Sequence, residues 1–286
     1  MDIRFLETFL AVADCGSIAE AARRINLTSA AVSQRLRALE SDLGQSLVAR
    51  SGKTIQPTPG GLAVLDAARA LVADARNLRA IAANGEPAGQ LRLGATASAL
   101  TGILPQVIAT LRTRHPVIEY FVQPGSSVDL YHRVVAGDLD AAMIVRPQFS
   151  LPKSVSWRSI RQEPLVLITP STCPVQDPHR IIADLPFIRY DRNQWGGQIV
   201  DTYLRTHGLK VRETLELDAL DAIAAMVSRG LGVSIVPDWA PPWPEGLHLH
   251  KVALPTGGTR ETGVIWRHTG ARYAAVRAFV RACASV

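Results

Sequence analysis

Cysteine is scarce in this chain, long apolar runs are absent, and acidic residues are outnumbered by basic ones. The cysteines, Cys15, Cys173 and Cys283, stand far apart, and their odd number leaves no complete disulfide framework. A reduced, cytoplasmic protein is expected. No apolar stretch approaches the roughly 18 residues of a membrane span. The opening "MDIRFLETFLAVADC" has the length of a leader peptide. Asp2, Glu7 and Asp14 argue against one, because its apolar positions recur at helical spacing with acids between them. The composition of disorder is missing too: 47% of residues are hydrophobic and 20% charged. With 286 residues the chain can build two or three cores.

A net charge of +6 points toward nucleic acid, but its distribution does not. Residues 1–90 hold 10 Lys+Arg against 9 Asp+Glu, and residues 91–286 hold 21 against 16. The excess lies in the second part, so any argument for DNA must rest on local placement.

Residues 2–15 read as a helix with Phe5, Leu6, Phe9, Val12 and Ala13 on one face, ended by Gly16. Ser17 and Glu20 form a capping-box pattern before a short second helix. Ala21 and Ala22 there allow another helix to approach closely. Asn26-Leu27 makes a turn, and Thr28 is the expected N-cap of a third helix with Val32, Leu36 and Leu39 inward. Two short helices joined by a tight turn spell helix-turn-helix. The polar face of the third carries Ser29, Ser33, Gln34, Arg35 and Arg37 in place of the usual Glu and Lys. Ser, Gln and Arg can read base donors and acceptors from the first turns of a helix in the major groove.

"LVARSGKTIQPT" reads as a tight hairpin with Ser51-Gly52 at its tip. Arg50 and Lys53 flank it, where a wing would rest on phosphates. Thr58 and Pro59 start a long helix to about residue 83. Val64, Ala68, Leu71, Ala75, Leu78 and Ala82 recur in steps of four and three, the pattern of a coiled-coil seam. The alternative is that this stripe packs on its own domain. Residues 84–89, "NGEPAG", have a linker's composition.

From Leu91 the texture becomes β-α-β-α. Strands are expected at "LRLGA", "IEYFVQPG", "LDAAMIV" and "EPLVLIT", and again at "PFIRY", "TLEL", "GVSIVP" and "ETGVIW". Helices fall between them, and one from Tyr273 closes the chain. The expected fold is α/β with a mainly parallel sheet, in two lobes with a cleft between them.

At this point the sequence resembles the LysR-type transcriptional regulators over its whole length. The resemblance rests on "FLAVADCGSIAEAARRINLTSAAVSQRLRALESDLGQSLVAR" followed by "PTPGG", and more weakly on "GDLDAAMI" and "VSRGLGVSIVP". It implies an N-terminal winged helix-turn-helix over residues 1–58 and a dimerising linker helix and hinge over 59–90. It also implies a two-lobed effector domain over 91–286, of the periplasmic-binding-protein-like (type 2) kind. Lobe one is expected at about 91–163 and 267–286, and lobe two at about 164–266. It implies further a homotetramer, dimerised through the linker helix, that binds promoter DNA and answers to a small molecule, with RNA polymerase as a further partner. No cofactor or metal is implied. The family often has Gln-Pro at the start of the recognition helix; this chain has Ser29-Ala30, so the preferred DNA sequence does not carry over.

The expected DNA contacts are therefore Ser17, Thr28, Ser29, Ala30, Ser33, Gln34, Arg37, Arg50 and Lys53, against the alternative of a solvated surface. For the effector, Thr96 and Ser98 follow the first strand, and Ser126 and Ser127 follow "VQPG". Both pairs precede helices, whose free amides favour carboxylates. Plain helix capping explains them equally. Arg146 follows the third strand of the first lobe; Asn193 and Trp195 stand at the facing loop, with Arg189 and Arg192 nearby. Trp195 either stacks on a ligand or shields a hinge. A small organic anion is the expected effector.

Catalysis finds no support. His248 and His250 share a strand face but no third ligand is in view. Gly230-x-Gly232 precedes a strand, so it is no dinucleotide fingerprint. "STC" at 171–173 lacks the glycines of a nucleophile elbow. The rival to a regulator is a two-lobed solute-binding protein with an N-terminal helical extension.

Overall fold

The structure, a computed structural model, describes residues 2–52, 54–84, 87, 89–174, 176–268 and 272–284. The chain forms two compact units, Met1–Gly89 and Gln90–Val286.

In the first unit, α1 (Ile3–Cys15) is capped by Asp2, which accepts from the Arg4 amide, and buries Leu6, Phe9 and Val12. Gly16 ends it at φ 62, a left-handed turn that other side chains resist. Ser17 caps α2 (Ile18–Arg24) by accepting from Glu20 N at 3.4 Å. The return half of the expected capping box does not form. The Glu20 carboxylate is ion-paired with Arg23, a charged donor stronger than the neutral amide of Ser17. Thr28 caps α3 (Ser29–Leu43) through Ala31 N at 3.2 Å. Val32, Leu36 and Leu39 are buried, and Leu43 at the last turn is exposed. The hairpin of β1 (Val48–Ser51) and β2 (Thr54–Pro57) is antiparallel.

Helix α4 (Pro59–Asn84) starts from Thr58, whose hydroxyl accepts from Gly61 N at 3.0 Å and donates to Ser46 O at 2.6 Å. The expected seam divides here. Ala68 is buried with Val72 in the core of Leu6, Phe9, Leu36 and Leu39, and Val64 packs against it. Leu71 remains 47% exposed. Val64, Ala68 and Val72 recur every four residues and drift slowly round the helix; Leu71 lies about 100° from Val72. The side chains of Leu78 and Ala82 lie outside the described residues.

The second unit opens with β3 (Gly89–Ala95), α5 (Ala97–Gly102), α6 (Leu104–Arg114), β4 (Ile118–Pro124), α7 (Ser127–Ala136) and β5 (Ala141–Val145). Then come β6 (Val155–Pro170), α8 (Pro178–Asp184), β7 (Pro186–Tyr190), α9 (Trp195–Thr206), β8 (Arg212–Leu217) and α10 (Leu220–Ser228). The chain closes through β9 (Ser234–Pro237), β10 (Leu249–Ala253), β11 (Thr259–Arg267) and α11 (Tyr273–Cys283).

The main sheet has the order β10-β6-β11-β5-β3-β4, with β9 also on β6. Its centre is apolar: β5 is buried at every position. The expectation of a mainly parallel sheet holds for β3–β5 and β7–β8, and for the isolated bridge between Phe187 and Val233. β11 runs antiparallel to both β5 and β6, and β9 and β10 run antiparallel to β6. The departure comes from β6, whose 16 residues serve both lobes. Its first half pairs with β11 and its second half with β9 and β10. That first half, "VSWRSIRQ", is largely polar and fully buried only at Val155, so its sequence does not announce a strand. β11 pairs with β5 from Thr262 onward. Lobe two has its own core, in which Leu167, Phe187, Ile223 and Ile235 are fully buried.

Candidate functional site

Two surfaces gather the candidate residues, one in each unit. On α3, Ser29, Ala30, Gln34 and Arg37 are exposed. Ser33 is half-buried; its hydroxyl donates to Ser29 O at 2.9 Å and keeps acceptor capacity. Arg37 Nε donates to Ser33 O at 3.3 Å, which leaves the rest of its guanidinium fork for a partner. No acid occurs in the first turn of this helix. Ser17 and Thr28 spend their hydroxyls as caps, so their role is to fix α2 and α3. On the hairpin, Arg50 Nε donates to Gly52 O at 3.3 Å across the tip. Lys53 lies outside the described residues.

In the second unit a cavity of about 130 Å³ opens between the lobes. One wall comes from the starts of α5 and α7: Thr96, Ala97, Ser98, Gly125, Ser126 and Ser127, with Val145 behind. The other comes from Tyr190, Gln194 and Gly196, and from residues 218–221 at the start of α10. Arg260 of β11 completes it.

Local sequence explains these positions. Ser126 caps α7 by accepting from Asp129 N at 3.1 Å. Ser127 Oγ accepts from Val145 N at 3.0 Å and so ties the start of α7 to the end of β5. The Thr96 hydroxyl oxygen is buried and has no hydrogen-bond partner among the described residues. Glycine brings α9 to the cavity: a Cβ on Gly197 would stand 1.9 Å from Asp191 O. Only a residue without a side chain lets that helix start so close to the preceding loop.

Arg260 is 2% exposed. Its guanidinium pairs with the buried Glu163 at 2.6 Å and donates to Ser98 Oγ at 3.1 Å. Glu163 also accepts from Thr262 Oγ1 at 3.2 Å and Ala240 N at 3.3 Å. The pair is therefore fully hydrogen-bonded, the condition for burying charge. Burial, and then the neighbouring Asp191, push the Asp218 carboxyl up to about 6, against the pull of Arg260. Burial also raises the Tyr190 phenol above its ordinary value.

Of the expected effector residues, the structure brings Thr96, Ser98, Ser126 and Ser127 together at the cavity. Arg146, Asn193 and Trp195 are not among its lining residues. Arg146 is mostly exposed and ion-paired with Glu261 at 2.9 Å. Asn193 turns back to Asp191, which accepts from its backbone and side-chain amides. Trp195 is 7% exposed and packs into the core of lobe one. Its ring lies edge-on to Tyr131 and Phe149, both at 5.7 Å, so it fastens one lobe to the other. Arg189 of β7 pairs with Asp201 of α9 and Glu213 of β8, and Arg192, just past β7, pairs with Glu213 and Glu216; none of them lines the cavity. Asp218 and Asp221, which were not among the expected effector residues, line the cavity with the serines. Arg260 went unseen in the sequence because its partners, Glu163 and Ser98, lie 97 and 162 residues away. Among the described residues no group of side chains could hold a metal ion, and no helix is long and apolar enough to cross a membrane.

Residues 84–286 match the family described as LysR substrate binding domain, and residues 3–62 match the bacterial regulatory helix-turn-helix protein, lysR family. The chain is 30% identical to the HTH-type transcriptional regulator IlvR of Caulobacter vibrioides, over 93% of this chain and 92% of that protein. It is 27% identical to the HTH-type transcriptional activator IlvY of Salmonella typhimurium, over 83% of each. Among solved structures, full-length CbnR complexed with its target DNA is similar at a TM-score of 0.67 and 21% identity, over 99% of both chains. An H2O2-bound cysteine mutant of OxyR from Corynebacterium glutamicum is similar at 0.66 and 23%, over 99% of this chain and 92% of that one. At these identities the two structures speak to the fold.

Proposed function

The chain belongs to the LysR family of HTH-type transcriptional regulators, and we propose that α3 reads its promoter while the cavity of the second unit takes the controlling small molecule. Helix α3 enters the major groove, where Ser29, Ser33, Gln34 and Arg37 meet base edges and the Ala30 methyl can meet a thymine methyl. Ser17 and Thr28 hold the helix pair in register, and the hairpin with Arg50 and Lys53 rests on phosphates. Copies associate through the face of α4 on which Leu71 is exposed, into a dimer and then a tetramer. The protein works in the cytoplasm, with RNA polymerase as a further partner. The effector acts by binding one arrangement of the lobes more tightly than another, since equal affinity would shift nothing.

The observation that carries this reading is the exposed Ser, Gln and Arg face of a helix capped at both ends and seated on a buried Val32–Leu36–Leu39 stripe. Ser33→Ala and Gln34→Ala are each expected to cost about 1–3 kcal/mol in binding to the cognate promoter fragment, with non-specific binding nearly unchanged. Fluorescence anisotropy on cognate and scrambled duplexes, at several salt concentrations, measures both. Equal losses on the two duplexes refute base reading by these side chains.

A further inference from the structure

We infer that the cavity of the second unit selects a small zwitterion, with its carboxylate at the serine wall and its ammonium at Asp218. The inference rests on the effector reading above and narrows it to a ligand class.

The two walls have opposite character. On the lobe-one side, Ser126 and Ser127 open the ten-residue α7, whose first amides and dipole favour an anion. Beside them the Thr96 hydroxyl is buried without a partner among the described residues. Arg260 adds a donor surface, and its charge is met at 2.6 Å by Glu163, which Arg161 also approaches at 3.7 Å from the exposed side. Facing them, Asp218 has no hydrogen bond or ion pair among the described residues. Asp221 stands three residues on in the same wall. A bare carboxylate would therefore lie against two acids, and a bare amine would leave the amides of α7 and the Thr96 hydroxyl unanswered. A molecule carrying both groups satisfies both walls. The volume of about 130 Å³ keeps it small.

The groups around Asp218 are Asp191 and Tyr190 before α9, Asp221 on α10 and Arg260 on β11. With its carboxyl held at about 6, above the ordinary value of 3.8, ionising Asp218 lowers stability as pH rises between those values. Asp218→Asn removes that cost, so the unliganded variant is at least as stable as the wild type at neutral pH.

The test is a thermal-shift and calorimetric screen of the full-length protein against small α-, β- and γ-amino acids. Each is matched with its carboxylate lacking the amine and its amine lacking the carboxylate. One or more amino acids are expected to raise Tm, with both counterparts binding about tenfold or more weakly. Asp218→Asn is expected to weaken that binding about tenfold or more, and Asp221→Asn to weaken it less. Amino-acid affinity is expected to fall as pH drops through about 6. A carboxylate that binds as well as its amino acid, tighter binding by Asp218→Asn, or no shift from any amino acid overturns the zwitterion. Failure of the effector reading itself looks different: a compound binds the cavity yet leaves promoter affinity and footprint unchanged.

Discussion

Along α3 the groups offered to a partner stand on one regular surface, within a span of nine residues from Ser29 to Arg37. Around the cavity they come from five separated segments, and two that touch, Ser98 and Arg260, lie 162 residues apart. The difference follows from the partners. A duplex is long, external and uniformly charged, so an exposed helix can meet it with side chains at helical spacing. A small molecule is enclosed, so its contacts must converge from many directions. The same residue type then means different things. Arg37 projects from a surface with most of its donors uncommitted. Arg260 is a structural cation whose charge is met by Glu163 before any ligand arrives.

The comparison breaks most sharply if Arg260 proves dispensable. Arg260→Met leaves the buried Glu163 with Arg161, at 3.7 Å, as its remaining ion-pair partner among the described residues, and is expected to destabilise the second unit by about 3 kcal/mol. Arg260→Met with Glu163→Gln should recover most of that loss. Denaturant midpoints measure both, and a single variant as stable as the wild type would return Arg260 to the role of a ligand-facing charge. Leu71→Glu tests whether the first unit also meets a partner through α4. It is expected to weaken association by about 2 kcal/mol or more per interface, seen in sedimentation as smaller species. An unchanged assembly would place the interface elsewhere. The smallest effect belongs to Ser17→Ala, which removes one cap and is expected to cost about 1 kcal/mol of stability. Its loss of promoter affinity should be small and equal on cognate and scrambled DNA, because Ser17 acts by holding α2.

The same contrast explains how much was legible in advance. Ser17, Thr28, Gly16 and Gly44 punctuate the first helices through bonds within a few residues, so their pattern is local and readable. The capping box misled only where Arg23 competed for Glu20. In the second unit the strands and helices were visible, and Thr96, Ser98, Ser126 and Ser127 showed themselves by preceding helices. Arg146 and Trp195 looked equally eligible in the chain. Their direction is decided by Glu261 and by the Tyr131–Phe149 rings, and spacing carries no record of those contacts. The polar half of β6 was unreadable for a related reason: its pairing comes from β11, far along the chain.

β6 also constrains how such a protein can be rebuilt by recombination. Separating the lobes by a cut within residues 155–170 would leave each one's sheet without part of an internal strand, with backbone donors and acceptors left unmatched. A cut near residue 89 falls at the boundary between the two compact units. The inherited module is therefore the whole second unit, both lobes at once. Within it, new ligand preferences can arise by change in the loops at 96–98, 125–127 and 218–221, while the Arg260–Glu163 pair beneath them stays fixed.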